Sequence, residues 1–181
     1  FTVTLPQRAR QLNELKFNNV RFRLPSVQLN AKDMPELKKL TITACSETKS
    51  IDLREMSNLQ RIDISSNAQL SDFHTPEVWS NVRHLRISGN PRLSLGARHI
   101  PRQLPELRTL LLENNNLRED LSVMETLHAQ NLQHLDLRGN HLHDLTPLSG
   151  FEHLDSLELA SNDFTTIPAS IMDLSPRVNV N

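Results

Sequence analysis

Tyrosine is missing from this 181-residue chain, and cysteine and tryptophan occur once each. A single cysteine excludes an intramolecular disulfide framework. No Asn-x-Ser/Thr sequon occurs, so nothing positively marks secretion. No stretch approaches the roughly 18 apolar residues of a membrane span, and the sequence from Phe1 does not read as a signal peptide. The formal net charge of −1 gives no global argument for nucleic acid, and neither aromatic stacking residues nor a basic helix supplies a local one. Nucleic acid and membrane are therefore not expected partners of this segment.

The charge that is present is unevenly placed. Residues 1–112 carry 17 Lys/Arg and 10 Asp/Glu, whereas residues 113–181 carry 3 and 11. An elongated molecule with such halves has an end-to-end dipole, which would steer a complementary partner or favour head-to-tail homo-association. Five of the eight histidines (His128, His134, His141, His143 and His153) fall in the acidic half. Carboxylates nearby favour protonated imidazole, so binding through this half is expected to respond to mild acidity.

Leu132 to Leu142 reads LQHLDLRGNHL, with leucine at positions one, four, six and eleven and asparagine at nine. The pattern recurs in LRTLLLENNNL from Leu107 and LDSLELASNDF from Leu154. Looser copies are LNELKFNNV from Leu12, LKKLTITAC from Leu37, LQRIDISSNAQL from Leu59 and VRHLRISGNPRL from Val82. Repeat starts near 12, 37, 59, 82, 107, 132 and 154 give spacings of 22 to 25 residues. These residues resemble the leucine-rich repeat superfamily over nearly the whole chain. The resemblance implies an α/β fold, a curved solenoid with a parallel β-sheet on the concave face. Irregular, 3-10 or short helical returns would form the convex face. Residues 1–181 are then one domain of about seven repeats with a partial eighth at 174–181, where Val178 and Val180 take the inward strand positions. No cap is visible, so an excised fragment lacking complete caps is expected.

Position nine points inward in this family and is filled by Cys45, Asn67, Asn90, Asn115, Asn140 and Asn162. Buried amides there are expected to satisfy backbone groups of adjoining loops. Cys45 fits as a small buried thiol, since no histidine lies closer in sequence than His74 to activate it. FTVTL alternates like a strand that Pro6 would end, and Phe22, Leu24 and Val27 supply further apolar edges. The proline-bearing returns FHTPEVW and SLGARHIPRQLP are too short for long helices, with Phe73 and Trp79 as convex-side core. Leu121, Met124 and Leu127 recur at helical spacing. Ile167, Ile171 and Leu174 are expected to face inward in the last return.

Positions three, five and seven point outward along the strands. Seven strands about 4.8 Å apart offer a face roughly 29 Å long, which the resemblance makes the binding surface. Its expected ligand-binding residues are Arg61, Asp63, His84, Arg86, Leu111, Glu113, His134, Asp136, Arg138 and Glu158. Arginine is a favoured interface anchor, which singles out Arg61, Arg86 and Arg138. Leu111 is the one large apolar residue turned outward, and Asp63 stands where it would pair laterally with Arg86.

Chemistry finds little support. His134, Asp136 and Ser156 make a Ser-His-Asp set on paper, but the strand spacing does not favour orienting the imidazole and no turn offers an oxyanion hole. His141 and His143, with Asp144 and His134 nearby, lack the cysteines and spacing of a zinc site. No catalytic, metal or cofactor residue is therefore expected. The function implied is recognition of a protein ligand or co-receptor. One setting is an extracellular or cell-surface receptor or adhesion protein resembling the Toll-like and related animal proteins, which ISSNAQL and ISGNPRL favour. The other is a cytoplasmic scaffold, regulatory subunit or immune sensor, favoured by the 22-residue unit NHLHDLTPLSGFEHL, the lone cysteine and the absent sequons. A substrate-selecting domain of a larger enzyme is a third possibility.

Overall fold

Apolar residues two apart turn to the same side of a strand, and stacking successive repeats lines them into one core. A computed structural model of the chain has this arrangement. The structure describes residues 7–22, 25–93, 95, 99–117, 121–166, 168–169, 171, 174 and 178–181. The FTVTL segment, Leu24 and Ile167 lie outside the described residues.

In chain order the strands are β1 (Glu14–Asn18), β2 (Ser26–Gln28), β3 (Lys39–Thr43), β4 (Ser50–Asp52), β5 (Arg61–Ser65), β6 (Asp72–His74), β7 (His84–Ser88), β8 (Thr109–Leu111), β9 (His134–Asp136), β10 (Ser156–Glu158) and β11 (Asn179–Val180). Eight of them form one sheet in the order β1-β3-β5-β7-β8-β9-β10-β11, and every pairing is parallel. Leu40, Ile42, Ile62, Ile64, Leu85, Ile87, Leu110, Leu135 and Leu157 project from it into a continuous core and are essentially inaccessible. At the β1 edge, Leu15 and Phe17 are only half-buried, and Phe17 meets Phe22 edge-on with ring centroids 5.2 Å apart.

The opposite wall is built by the returns. Trp79 is fully buried there, and its Nε1–H donates to the Met56 carbonyl at 2.9 Å, so the indole dipole is satisfied. α1 (Ser122–Glu125) is a single helical turn beside buried Leu121, Met124 and Leu127, and Thr146–Leu148 forms a 3-10 turn. The repeat pattern did not anticipate a second parallel sheet, β2-β4-β6. Each of these strands is an apolar residue between two polar ones (Val27, Ile51 and Phe73), and all three apolar side chains are fully buried. Stacked returns leave backbone groups that need partners, and pairing with the same segment of the next repeat supplies them.

The chain leaves each concave strand at position eight, and every such residue has positive φ: Asn19, Ala44, Ser66, Gly89, Asn114, Gly139 and Ser161. In all but the last, the N–H donates to the position-seven carbonyl of the next repeat, as in Ala44 to Ser65 at 3.1 Å and Gly139 to Ala160 at 3.0 Å. The left-handed conformation costs an L-residue about 1–2 kcal/mol, of which glycine's chain entropy would take back about 0.5–1 kcal/mol. Ala44→Gly is therefore expected to stabilise the fold by about 0.5–1 kcal/mol. Gly139→Ala is expected to cost about 2 kcal/mol or more, because a Cβ there would also collide with the Asn114 side-chain amide. Paired urea titrations of the two variants check both signs.

Candidate functional site: the concave face and its spine

Beneath the concave sheet runs a column of amides. The Asn67 side chain donates to the Ile42 carbonyl at 2.9 Å and accepts from the Cys45 N–H at 3.0 Å. Asn90 repeats the motif one unit on, donating to Ile64 O at 2.9 Å and accepting from Asn67 N–H at 3.0 Å. Asn115 donates to the carbonyls of Ile87 and Leu112 and accepts from Asn90 N–H at 3.1 Å. Asn140 accepts from the N–H groups of Asn115 and Leu117 and donates to Leu112 O at 3.1 Å and Leu137 O at 2.8 Å. Asn162, half-buried, accepts from Leu142 N–H and donates to Leu137 and Leu159. Each asparagine thus ties its own unit to the preceding one. Cys45 begins the column with its Sγ 3.4 Å from Thr43 O and 3.6 Å from Phe17 O. Burial pushes its thiol above the ordinary range, the reverse of what a nucleophile needs.

The face itself is a register of columns. Arg61, His84, Thr109, His134 and Ser156 stand side by side at position three, and Asp63, Arg86, Leu111, Asp136 and Glu158 at position five. Two carboxylates expected in the open are not there: Glu113 is 9% exposed and Asp136 5%. Both sit beneath arginines. Arg86 donates from Nη2 to Glu113 Oε1 at 2.5 Å and from Nε to Ser88 Oγ at 2.7 Å. Arg138 clasps Asp136 through Nε at 3.0 Å and Nη2 at 2.6 Å, and its backbone N–H donates to the same carboxylate at 3.0 Å. This fork-to-carboxylate bond holds Arg138 firmly cationic. Arg86 therefore pairs with Glu113 rather than Asp63, whose Oδ1 accepts from Ser65 Oγ at 2.6 Å. Arg86 thus reaches into the next repeat, to a carboxylate better enclosed than Asp63. Leu111 is half-buried between the two ion pairs.

The paper triad is not assembled. Asp136 is engaged by Arg138, and the Ser156 hydroxyl faces Glu158 Oε1 at 3.4 Å. Among the described residues no hydrogen bond joins His134 to either. His141 and His143 turn to Asp163 instead of Asp144, with Nδ1 2.8 Å from its carboxylate and 3.1 Å from its carbonyl respectively. Asp144 receives the N–H groups of Leu145 and Thr146 at the start of the 3-10 turn. Among the described residues no three His, Cys, Asp or Glu side chains converge as a metal set.

His84 is held below its ordinary pKa, first by burial and then by the charges of Arg61, Arg108, Arg83 and His134. The folded chain therefore binds this proton less readily than the unfolded chain. Stability is expected to be fully present above about pH 6.5 and to decline as pH falls from there through the depressed folded value. His84→Gln should flatten that slope in urea titrations across mildly acidic pH. The contributing charges reveal what position-by-position reading missed: position two, occupied by Lys38, Gln60, Arg83, Arg108 and Gln133, adds its side chains to the same edge of the face.

A parallel β-solenoid with an amide column at a fixed repeat position is a repeat-built scaffold. A family model for leucine-rich repeats, two copies, matches residues 130–169. Over those residues the chain matches the leucine-rich repeat family, and the parallel solenoid carries the same strand-and-return pattern along the other described residues. A search of curated proteins finds no match. Among solved structures, human 5T4 (trophoblast glycoprotein, Wnt-activated inhibitory factor 1) is similar at 20% identity and a TM-score of 0.64, covering 98% of this chain and 77% of that one. A leucine-rich repeat protein of Leptospira interrogans aligns at 16% identity over 95% of this chain and 67% of its own, with a TM-score of 0.35, too low to establish a common fold. Leucine-rich repeat folds serve in general as protein-interaction modules and are typically non-catalytic.

Proposed function

We propose that the chain is a non-catalytic recognition module that binds a protein ligand or co-receptor through its concave face, as part of an extracellular or cell-surface receptor or adhesion protein. The observation that carries the reading is the pre-organised centre of that face. Leu111 is half-buried between Arg86–Glu113 and Arg138–Asp136, so an apolar contact is framed by arginines already held in place. A partner would meet anchors whose ordering cost is reduced before binding. The ligand-binding set is then Arg61, Asp63, His84, Arg86, Leu111, Glu113, His134, Asp136, Arg138 and Glu158, with Glu113 and Asp136 holding arginines rather than touching the ligand.

The test needs no knowledge of the natural partner. Peptides selected on the purified chain from a random library displayed on phage should lose binding to an Arg138→Ala variant. They should keep it toward Glu77→Lys, an exposed change on a return segment. The reverse pattern would move recognition to the convex side. The cellular setting has its own measurement, peptide mapping of the native parent protein without reduction. Disulfide-linked cysteine clusters flanking Phe1 and Asn181 support the extracellular setting. Cysteine-free or reduced flanks favour the cytoplasmic scaffold, with which the buried, unpaired Cys45 is equally compatible.

A further inference from the structure

One edge of the concave sheet carries far more cation than the rest of the face accounts for. Lys39, Arg61, His84 and His134 at the starts of β3, β5, β7 and β9, with Lys38, Arg83 and Arg108 immediately before β3, β7 and β8, form a band along one edge of the face. The position-two residues stack directly, since Gln60, Arg83, Arg108 and Gln133 each donate their N–H to the carbonyl of the previous member of that column. Arg61, Arg83, Arg108, Lys39 and His134 are exposed, whereas Lys38 and His84 are half-buried. Elsewhere on the face arginines are matched: Arg86 by Glu113 and Arg138 by Asp136. Here, among the described residues, the one salt bridge is a long contact of 3.8 Å between Arg83 and Glu106. At the β1 end Glu14 stands in register with Lys39 and bonds Lys16 at 3.0 Å. The band ends where Glu152 and Asp155 join Arg108 in lining a shallow groove with Gln133 and His153.

We infer that this band is a docking strip for an acidic, extended segment of the protein partner. The inference rests on reading the concave face as the recognition surface, and it adds where and by what chemistry the partner is held. Charge complementarity selects an anionic occupant, because cations gathered in excess of their counter-ions repel until more anion is supplied. The neighbouring floor selects a protein over a uniform polyanion. Asp63 stands beside the band at position five and Glu158 one strand beyond its end, with Leu111 between them in that column. A nucleic acid or sulfated sugar chain would be repelled by those carboxylates and gain nothing from the leucine. A protein segment can be acidic along one side and apolar on the next. Five strands about 4.8 Å apart give a band about 19 Å long, which an extended segment of about six residues spans. An acidic occupant would also offset the cations around His84 that disfavour its charged form, so binding strengthens on mild acidification.

The probe is the set of phage-selected peptides, resynthesised with a fluorescent label and measured by anisotropy against the purified chain. The expected result is a run of aspartate and glutamate in the selected sequences. Affinity should fall by about tenfold or more with Arg61→Glu plus Arg108→Glu, and rise from neutral to about pH 6 in the native chain more than in His84→Gln. Circular dichroism first establishes that each variant is folded. Peptides that depend on Arg138 but carry no acidic run and ignore the Arg61 and Arg108 reversals would overturn this inference and leave the concave reading standing. Peptides indifferent to both sets would overturn the concave reading itself. A heparin oligosaccharide that outcompetes every peptide through the same arginines would overturn the choice of a protein segment.

Discussion

Replacing Asn90 with alanine is expected to destabilise the chain by about 3 kcal/mol, as read by urea unfolding followed through Trp79, the single buried indole. The substitution strands two groups deep in the solenoid, the Asn67 N–H and the Ile64 carbonyl. Each buried polar group left without a partner costs about 1–3 kcal/mol, far more than the net worth of a satisfied bond. Asn90→Leu should cost a similar amount, since filling the volume does not restore either bond. Asn162→Ala should cost about 1 kcal/mol, because Asn162 is itself only half-buried and water can take the place of its amide. Asn90→Cys should fall between, retaining the weak thiol contacts that Cys45 makes in the same column. A change below about 0.5 kcal/mol in Asn90→Ala, the range of an ordinary surface substitution, would mean that water or backbone rearrangement replaces the amide.

The second large effect is on binding. Leu111→Asp is expected to weaken concave-face ligands by about 2 kcal/mol, roughly thirtyfold in Kd, with little change in unfolding midpoint because the side chain is only half-buried in the free chain. The physical case is positional. Leu111 lies in register between Arg86 and Asp136, and the arginines on either side are already bonded to Glu113 and Asp136. A partner that covers the leucine excludes water from a centre whose arginines are already paired. Equal affinity for the variant and the native chain, with both folded, would remove Leu111 from the interface.

What the sequence made legible follows from what repetition encodes. Leucine or isoleucine at positions four and six sets the strands and the buried side of the sheet, and Leu40, Ile42, Ile62 and Ile64 lie where that alternation directs them. The return helix at Leu121, Met124 and Leu127 and the packing of Trp79 follow from the same demand to bury apolar surface. The position-eight turn was harder to see, because Asn19, Ala44, Ser66, Asn114 and Ser161 adopt positive φ alongside two glycines. There the strand exit, repeated and tied to the next unit by a hydrogen bond, overrides the preference of the individual residue. The column assignments of Glu113 and Asp136 were legible, but their burial was not. Burial depended on which strand's arginine folded over them, and a periodic pattern carries no information about side-chain rotamers. The cationic edge was missed for a related reason: position two lies outside the alternating set, yet Arg83 and Arg108 stack beside His84 once the strands are in register.

Photo-crosslinking of the native protein tests the central claim most directly, with a photoreactive amino acid placed at Leu111 in one sample and at Glu77 in another. If the concave face is the recognition surface, irradiation in the protein's own setting yields a discrete crosslinked protein partner from position 111, lost on adding a selected concave-face peptide, and none from position 77. A partner trapped from position 77 alone, or from both positions regardless of competitor, would contradict it.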